Sequence, residues 1–431
     1  MNSDIEARQN FQLGWKQTLT RRLKPAAAYF ELAAAHPTYR EKALMALGSC
    51  HMHFHNADAD PNDPAMATFR TLVDEHQGSF DYWRGLGDAW LDCSADAIDQ
   101  SSEPLRCFET ALRLRPDSVD AWYGLAMLLQ HHDEFTPAID AYLRIIELDP
   151  AHIAAHFRLW TLYRQGRAPA DVVPTPISVT KTVTEFSGAT ILADLKNSCS
   201  SAPSAGDRVA VLRGYLTCIP FEDIAHALAV FESTYVWSSD NRCPSFKDIP
   251  QLERQILMDC IEDQLVARVP AAWSNWPDHG FPPHRHDENS WSVRFQKYGK
   301  ERAAILHQDH PVYSQESDWT TCWIPFTPCG PGRAPTVRVL PTKLSEPIDR
   351  EDSFHRINRV PQSLIKEYFD PYLITVTAEP GDVLLFDRYV LHETLMEPSM
   401  PQTRISIDIR HTIGPARLPS GYCGDIREII E

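Results

Sequence analysis

The chain has 431 residues, a length that favours two or three domains over one. Its 58 acidic and 41 basic side chains give a net charge of −17, which argues against binding to nucleic acid or to an anionic membrane. Ten cysteines form no CxxC pair, and no stretch approaches the roughly 20 apolar residues of a membrane span. We therefore expect a reduced, cytoplasmic protein that does not span a membrane.

A helical repeat is predicted over residues 1–167. Large and small side chains recur at fixed spacing, and two prolines, Pro116 and Pro150, lie 34 residues apart. This is the length of a tetratricopeptide repeat, a helix-turn-helix unit of about 34 residues. The side chains that carry the pattern are Trp83, Leu86, Gly87, Trp90, Phe108, Ala111, Trp122, Leu125, Leu129, Ala138 and Tyr142.

Two clear copies, two weaker upstream copies and a half-copy over residues 154–167 give four and a half units, enough for a stable stack. An unrelated helical bundle is the alternative, and in both cases these aromatic residues belong to the core. Stacked repeats offer a surface for another chain or pack against a neighbouring domain. We expect them to bind a protein partner or a peptide substrate, to mediate self-association, or to buttress the next domain.

The rest of the chain predicts a second domain of a different class. Three prolines and several β-branched residues make 168–182 a linker to a domain over 183–431. That domain begins with a strand and a helix over 214–237 and a second helix over 249–269. From about 290 to 415, short β runs separated by Pro and Gly are typical of a barrel or jelly roll. The predicted fold class is therefore multidomain, with an all-α repeat solenoid followed by an α+β domain with a jelly-roll core.

The stretch "ILHQDHP" (305–311) carries the first candidate metal ligands. Side chains alternate along an extended segment, so His307 and Asp309 share one face while Gln308 points away. With a distant histidine on a neighbouring strand, they would form the two-histidine, one-carboxylate set of non-haem iron oxygenases. His392, at the end of an apolar strand, is the candidate third ligand, and His310 is a bystander. The alternative is a solvated turn in which the His-x-Asp pair is only hydrogen-bonded.

An alternating strand supplies a candidate binding site for a carboxylate. Residues 403–411 place three isoleucines on one face, with Arg404 and Ser406 on the other. A guanidinium with a hydroxyl beside it suits a planar carboxylate, such as the distal group of 2-oxoglutarate. The alternative for Ser406 is a small polar residue on an exposed strand face.

A second set of possible ligands lies in "PPHRHDENSW" (282–291). His284 and His286 share a face and Glu288 follows, as in cupin-type metal pairs. We rank this set below the first because no distal partner or carboxylate-binding pair lies at suitable spacing. We expect this segment to form a loop at the mouth of the pocket that contains the first set of ligands.

Five motifs in order resemble the phytanoyl-CoA dioxygenase family of Fe(II)/2-oxoglutarate oxygenases. They are "HQD" at 307–309, Trp323 within "TTCWIPFTP", "VRVLP" at 337–341, "GDVLLFDRYVLH" at 381–392, and Arg404. The resemblance covers roughly residues 210–415 and implies a double-stranded β-helix core. It also implies that His307, Asp309 and His392 hold Fe(II). Arg404, with Ser406 beside it, would then bind 2-oxoglutarate in a pocket lined by Trp323.

The implied activity is that of a dioxygenase that hydroxylates a C–H bond. Its substrate would be a small molecule, or a protein or peptide recruited by the repeats, and ascorbate is an optional additional cofactor. The alternative is a catalytically inactive repeat scaffold or adaptor. The chain departs from the family at "VLPTKLSEP", which lacks the usual Gly and His, and at Glu393, where Gly is common. For this reason no acyl-CoA specificity is transferred to this chain.

Overall fold

The computed structural model describes residues 2–19, 23–52, 64–91, 93, 95–169, 177, 183–187, 209–217, 219–234, 249–261, 291–299, 303–309, 319–344, 348, 358–387 and 389–412. Among the helices described there, none combines the length and the apolar character that crossing a membrane requires. The described chain is helical up to residue 164 and rich in β-strands from residue 184 onward.

The helical region consists of antiparallel hairpins, as predicted. Its helices pair as α1 with α2, α3 with α4, α5 with α7, and α8 with α9, and α10 follows as a single helix. The short α6 lies in the connection between α5 and α7. The bounds are α1 (Asn2–Leu19), α2 (Leu23–Ala34), α3 (Arg40–Met52), α4 (Pro64–Glu75), α5 (Phe80–Leu91), α6 (Ala95–Asp99), α7 (Glu103–Leu114), α8 (Val119–His131), α9 (Phe135–Leu148) and α10 (Ile153–Arg164).

Buried phenylalanines facing glycines join successive hairpins. Phe69 and Phe108 lie in second helices, and each ring packs against the first helix of the next unit. A Cβ at Gly85 would lie 2.5 Å from the Phe69 ring, and one at Gly124 would lie 2.4 Å from the Phe108 ring. Only a residue without a side chain fits at these two contacts. Phe30, Phe69 and Phe108 are 39 residues apart, so the 34-residue spacing predicted from the prolines does not extend to the earlier units.

The strands of the second region form two sheets. The larger has the order β1-β2-β7-β4-β9-β3 and the smaller has the order β6-β5-β8. Neighbours are antiparallel except for β1 and β2, which are parallel. The elements are β1 (Thr184–Ser187), β2 (Val209–Arg213), α11 (Phe221–Thr234), α12 (Gln251–Ile261), β3 (Trp291–Gln296), β4 (Trp319–Pro325), β5 (Thr336–Lys343), α13 (Gln362–Phe369), β6 (Ile374–Thr375), β7 (Val383–Asp387), β8 (Val390–Leu395) and β9 (Arg404–Thr412).

Strand β9 of the large sheet has one apolar face and one polar face, as its alternation predicts. Ile405, Ile407 and Ile409 are buried in a core with Ile224 and Leu228 of α11. Because side chains alternate along a strand, the intervening polar residues of β9 lie on the opposite face. Helix α11 therefore covers one face of the sheet. The opposite face carries the polar residues of β9 beside buried apolar residues of β2, β4 and β7, which pack with the small sheet.

The last helix of the repeats packs against the β-rich region. Phe157 of α10 is fully buried, and its ring centroid lies 5.2 Å from that of Tyr368 and 5.0 Å from that of Phe369 in α13. The same apolar cluster contains Leu306 and Leu391, which precede two of the candidate metal ligands. The repeats and the β-rich region therefore share a continuous core.

Polar contacts reinforce this junction. Arg158 is buried, and its Nη1 donates to the carbonyl oxygen of Asn358 at 2.6 Å. The Asn358 side chain donates in turn to the carbonyl oxygen of Met127 in α8 at 2.7 Å. Asn358 has a φ of 61°, a left-handed conformation that asparagine tolerates better than most residues. Ile177, from the segment predicted as a linker, is buried in the cluster that surrounds Phe157.

Replacing Phe157 tests this junction. We expect Phe157→Ala to lower the free energy of unfolding by about 3–5 kcal/mol, because it removes a buried aromatic ring shared by two regions. Urea unfolding of the full-length protein measures the change. Leu143→Ala, on the neighbouring helix at a side chain that is 36% exposed, is the matched control and should cost much less. Equal, small effects of the two substitutions would contradict the shared core.

Candidate functional site

Two histidines 85 residues apart form a direct backbone pair. The amide of His307 donates to the carbonyl oxygen of His392, and the amide of His392 donates back to His307, both at 2.9 Å. The pair is a single antiparallel bridge, and His307 itself lies outside the regular strands, so the segment around it forms no full strand of the kind predicted from the sequence. The bridge places the two side chains next to each other.

The position of His392 differs from the sequence-based expectation in one respect. We expected it at the end of the apolar strand, but that strand, β7, ends at Asp387 in the large sheet. His392 is instead the third residue of β8, which belongs to the small sheet. The chain thus passes from one sheet to the other just before the histidine. The charged residues Asp387 and Arg388 interrupt the apolar pattern there, but the sequence does not show that the second half joins another sheet.

The side chains of His307, Asp309 and His392 converge. Oδ1 of Asp309 lies 3.8 Å from Nε2 of His307 and 3.9 Å from Nε2 of His392. One potential ligand atom from each residue lies within 4.8 Å of the others. Asp309 is only 2% exposed, so its carboxylate is enclosed in the protein. Within the part of the chain that the structure describes, this is the group with the composition and spacing to hold a metal ion.

The same local hydrogen bond orients both imidazole rings. Nδ1 of His307 lies 2.6 Å from the carbonyl oxygen of Ile305, and Nδ1 of His392 lies 3.1 Å from that of Val390. A carbonyl oxygen only accepts, so Nδ1 carries the proton in each ring and Nε2 carries the lone pair. In both histidines the nitrogen that faces Asp309 is therefore the one able to bind a metal.

Gln308 fixes the segment between the two ligands. Its side chain points away from them, as predicted, and is 4% exposed. Its Nε2 donates to the carbonyl oxygen of Tyr389 at 2.8 Å, and its Oε1 accepts from the amide of Ile348 at 2.7 Å. The sequence indicated the direction of this side chain but not its partners, which lie 40 or more residues away.

The predicted co-substrate residues lie near the ligand cluster. Arg404, the first residue of β9, is 3% exposed, and its guanidinium carbon lies 5.7 Å from the centre of the Trp323 ring. Both residues line one pocket together with His307, Asp309 and His392. Ser406 is fully buried on the same face of β9, but it does not line the pocket. Five of the six predicted site residues therefore share one pocket.

Three further polar features of the pocket were missed from the sequence. Nε of Arg294 donates to Oδ2 of Asp408 at 2.8 Å, and Gln296 lies opposite Arg404 in the pairing of β3 with β9. Thr321 of β4 donates to Asp309. Alternation along β3 and β4 could have placed these side chains on the inner face, but the register between the strands is not evident from the sequence. The residues that line the pocket are Arg294, Gln296, Ala304, His307, Asp309, Thr321, Trp323, Val337, Phe386, His392, Glu393, Thr394, Arg404 and Asp408.

Glu393, one of the departures from the family pattern, has a structural role. It is 5% exposed, and its carboxylate accepts from Nη1 of Arg338 at 2.7 Å and from Nζ of Lys366 at 3.4 Å. Lys366 lies in α13, the helix that packs against the repeats. Glu393 therefore attaches this helix to the strand that carries His392.

The buried thiols of this region are protonated at neutral pH. Burial raises the pKa of the Cys329 thiol to about 11 and also raises the pKa of Cys322. Neither cysteine lines the pocket. His310, His284, His286 and Glu288 lie outside the described residues.

Solved structures similar to this chain include MamA and the tetratricopeptide-repeat protein YrrB. A crystal structure of MamA is 21% identical with a TM-score of 0.33, and the match covers 38% of this chain and 84% of MamA. MamA from Desulfovibrio magneticus RS-1 is 18% identical with a TM-score of 0.33, covering 38% and 86%. YrrB, described as a tetratricopeptide-repeat protein with an unusual peptide-binding site, is 14% identical with a TM-score of 0.31, covering 38% and 79%.

Two segments of the chain match known families, and no curated protein matches its sequence. Residues 103–153 match the tetratricopeptide repeat. Residues 251–397 match the phytanoyl-CoA dioxygenase family, and the matched segment includes His307, Asp309 and His392. The resemblances stated from the sequence are confirmed over these ranges. The chain thus combines a tetratricopeptide-repeat segment with a segment of the phytanoyl-CoA dioxygenase type.

Proposed function

We propose that this protein is an Fe(II)- and 2-oxoglutarate-dependent dioxygenase that hydroxylates a C–H bond. One observation carries the proposal. The two histidines and the aspartate, with ligand atoms within 4.8 Å of one another, share a pocket with a buried arginine suited to a carboxylate. The match to the phytanoyl-CoA dioxygenase family over residues 251–397 supports the same activity.

In this proposal the two sheets are the halves of a double-stranded β-helix, with the site between them. The catalytic domain spans 183–431 and the repeats span 1–167, joined by 168–182. The described cysteines are free thiols, which is consistent with a reducing compartment, and we propose the cytoplasm.

The donor set fits Fe(II). Two imidazole nitrogens and one carboxylate oxygen on one side of a site are characteristic of non-haem Fe(II) oxygenases, and they leave coordination positions open. His307, Asp309 and His392 would hold the ion. Because the Nδ1 atoms of both histidines face backbone carbonyls, the protein fixes the tautomer that binding requires.

The buried polar atoms around Arg404 fit a carboxylate co-substrate. Trp323 Nε1 and Ser406 Oγ are both buried, and neither makes a hydrogen bond within the described part of the chain. Buried donors without partners are costly, so a ligand that accepts from the indole of Trp323, which lines the pocket, would be stabilised. The guanidinium of Arg404 supplies the positive charge and the bidentate geometry that favour a carboxylate.

Each residue has a defined role in the proposed reaction. When bound, iron supplies the chemistry that consumes 2-oxoglutarate and dioxygen and yields succinate, carbon dioxide and a hydroxylated substrate. Arg404 orients the distal carboxylate, and Trp323 and Phe386 line the wall of the pocket and exclude water. The pair of Arg294 with Asp408 is placed to contact a polar part of the substrate.

The repeats have two candidate roles beside the catalytic domain. Repeats of this type are interaction modules, which favours a protein or peptide substrate or self-association. The helices α8 and α10, however, contact the β-rich region through Met127, Phe157 and Arg158. The end of the stack nearest to the catalytic domain is therefore partly engaged, and we place the recruitment of a second molecule on the more N-terminal units. The competing role, an inactive scaffold, predicts no turnover.

Loss of one ligand tests the proposed activity. Wild-type protein supplied with Fe(II), 2-oxoglutarate and dioxygen should form succinate. In Asp309→Ala the rate of succinate formation should fall by more than roughly 10–100-fold, which is the usual effect of replacing a residue that only orients a metal ligand. Asp140→Ala, at an exposed aspartate of α9, is the matched control and should remain active. If wild type forms no succinate although it is folded and metal-loaded, the protein is the scaffold rather than the enzyme.

Substitution of Arg404 tests the co-substrate site. Arg404→Leu should raise the KM for 2-oxoglutarate about 100-fold, because a charge-assisted contact of about 3 kcal/mol is lost. Arg404→Lys keeps the positive charge but loses the two parallel N–H donors of the guanidinium, and it should give an intermediate KM for 2-oxoglutarate. Arg144→Leu, on the exposed surface of α9, serves as the control. An unchanged KM in Arg404→Leu would show that the carboxylate binds elsewhere.

A further inference from the structure

The two oxygens of the Asp309 carboxylate face different surroundings. Oδ1 is the oxygen that lies 3.8 Å and 3.9 Å from the Nε2 atoms of the two histidines. Oδ2 instead accepts a hydrogen bond of 2.7 Å from the hydroxyl of Thr321. Both residues are almost completely buried, at 2% and 3% exposure. The hydroxyl therefore distinguishes one carboxylate oxygen from the other.

We propose that Thr321 is a positioning residue that makes Asp309 a one-oxygen ligand. This inference rests on the proposed function, in which His307, Asp309 and His392 hold the metal. A carboxylate can bind a metal through one oxygen or through both. The hydrogen bond from Thr321 engages Oδ2 and fixes the plane of the carboxylate, so that Oδ1 alone faces the histidine nitrogens.

The large sheet holds Thr321 in a fixed position. It lies within β4, between β7 and β9, where its partners in the pairing are Phe386 and Arg410. Its β-branched side chain has few rotamers, so the hydroxyl position is set by the backbone. Asp309, by contrast, follows a single isolated bridge at His307 rather than a regular strand. The hydrogen bond thus attaches a ligand on an irregular segment to the centre of the large sheet.

The restriction to one oxygen matters for the co-substrate. A three-residue ligand set of this type works because it leaves coordination positions open for other ligands. If both carboxylate oxygens bound, one of those positions would be lost. Thr321 therefore contributes to metal affinity and also preserves room for 2-oxoglutarate.

Two substitutions of Thr321 separate the hydroxyl from the packing of the side chain. Thr321→Val keeps the shape and removes the donor, while Thr321→Ser keeps the donor and removes a methyl group. Metal-free, full-length protein is titrated anaerobically with Fe(II), and with Co(II) as a spectroscopic probe. We expect metal affinity to fall about 10–100-fold in Thr321→Val, as for other groups that orient a ligand, and to stay close to wild type in Thr321→Ser. The Kd of 2-oxoglutarate in the metal-loaded proteins should also rise in Thr321→Val and stay close to the wild-type value in Thr321→Ser.

The melting temperature of the metal-free variants separates positioning from general stability. If Thr321→Val lowers the melting temperature but binds metal as tightly as wild type, Thr321 is only structural and the inference is wrong. If the valine variant does not fold, Thr321→Ala is titrated in its place and read by the same criterion. If wild type binds no metal, the inference about Thr321 is also wrong. Weakened metal binding in Thr321→Val, with wild type that forms no succinate, would support the inference and contradict the proposed function.

Discussion

The reciprocal backbone hydrogen bonds between His307 and His392 are the constraint on which the site depends. They join two segments separated by 85 residues and set the two imidazoles side by side, with ring centroids 4.2 Å apart. Asp309 then needs to be only two residues further along the same segment for its carboxylate to reach both rings. The Nδ1 contacts to carbonyl oxygens two residues upstream repeat the same local geometry in each segment. The cluster is therefore mainly a product of backbone pairing, and side-chain contacts refine it.

The packing behind this pair connects the site to the repeats. Leu306 and Leu391 precede the two histidines, and both are buried in the apolar cluster that contains Phe157 of α10. The side chain of Gln362, the first residue of α13, donates to the carbonyl oxygen of Leu306 at 2.9 Å. The helix that supports the metal-binding segments is thus held against the last helix of the repeats. For this reason the repeats form part of the structure that holds the candidate site.

Much of the architecture could be predicted from the sequence because periodicity and local spacing encode it. The isoleucines of β9 indicated the buried face of the large sheet, and the repeat pattern indicated the helical hairpins. The convergence of His307, Asp309 and His392 could be anticipated because alternation along an extended segment puts two of them on one face and the third lies in a motif of recognised order. The repeat, the strand faces and the His-x-Asp pair depend on short-range rules that a single sequence carries, whereas the third ligand depends on the resemblance to a known family.

The features that could not be predicted depend on contacts between distant segments. The passage from β7 to β8 moves the chain between sheets. The polar pair Asp387 and Arg388 interrupts the apolar residues there, but such an interruption alone does not show which sheet the chain joins next. Thr321 looks like an ordinary strand residue until the register places it beside Asp309. The docking of α10 onto α13 is equally hidden, because Phe157 occupies a position that would be apolar in an isolated repeat as well. Strand register and helix docking depend on tertiary contacts, and they cannot be inferred from the local pattern of a single sequence.

Anomalous diffraction from crystals grown anaerobically with Fe(II) and 2-oxoglutarate would test the central claim most directly. We predict an iron peak bonded to Nε2 of His307, Oδ1 of Asp309 and Nε2 of His392, with the distal carboxylate of 2-oxoglutarate against Arg404. A peak at another group, such as His284 and His286, would contradict the account. So would the absence of any peak between the three residues at saturating metal.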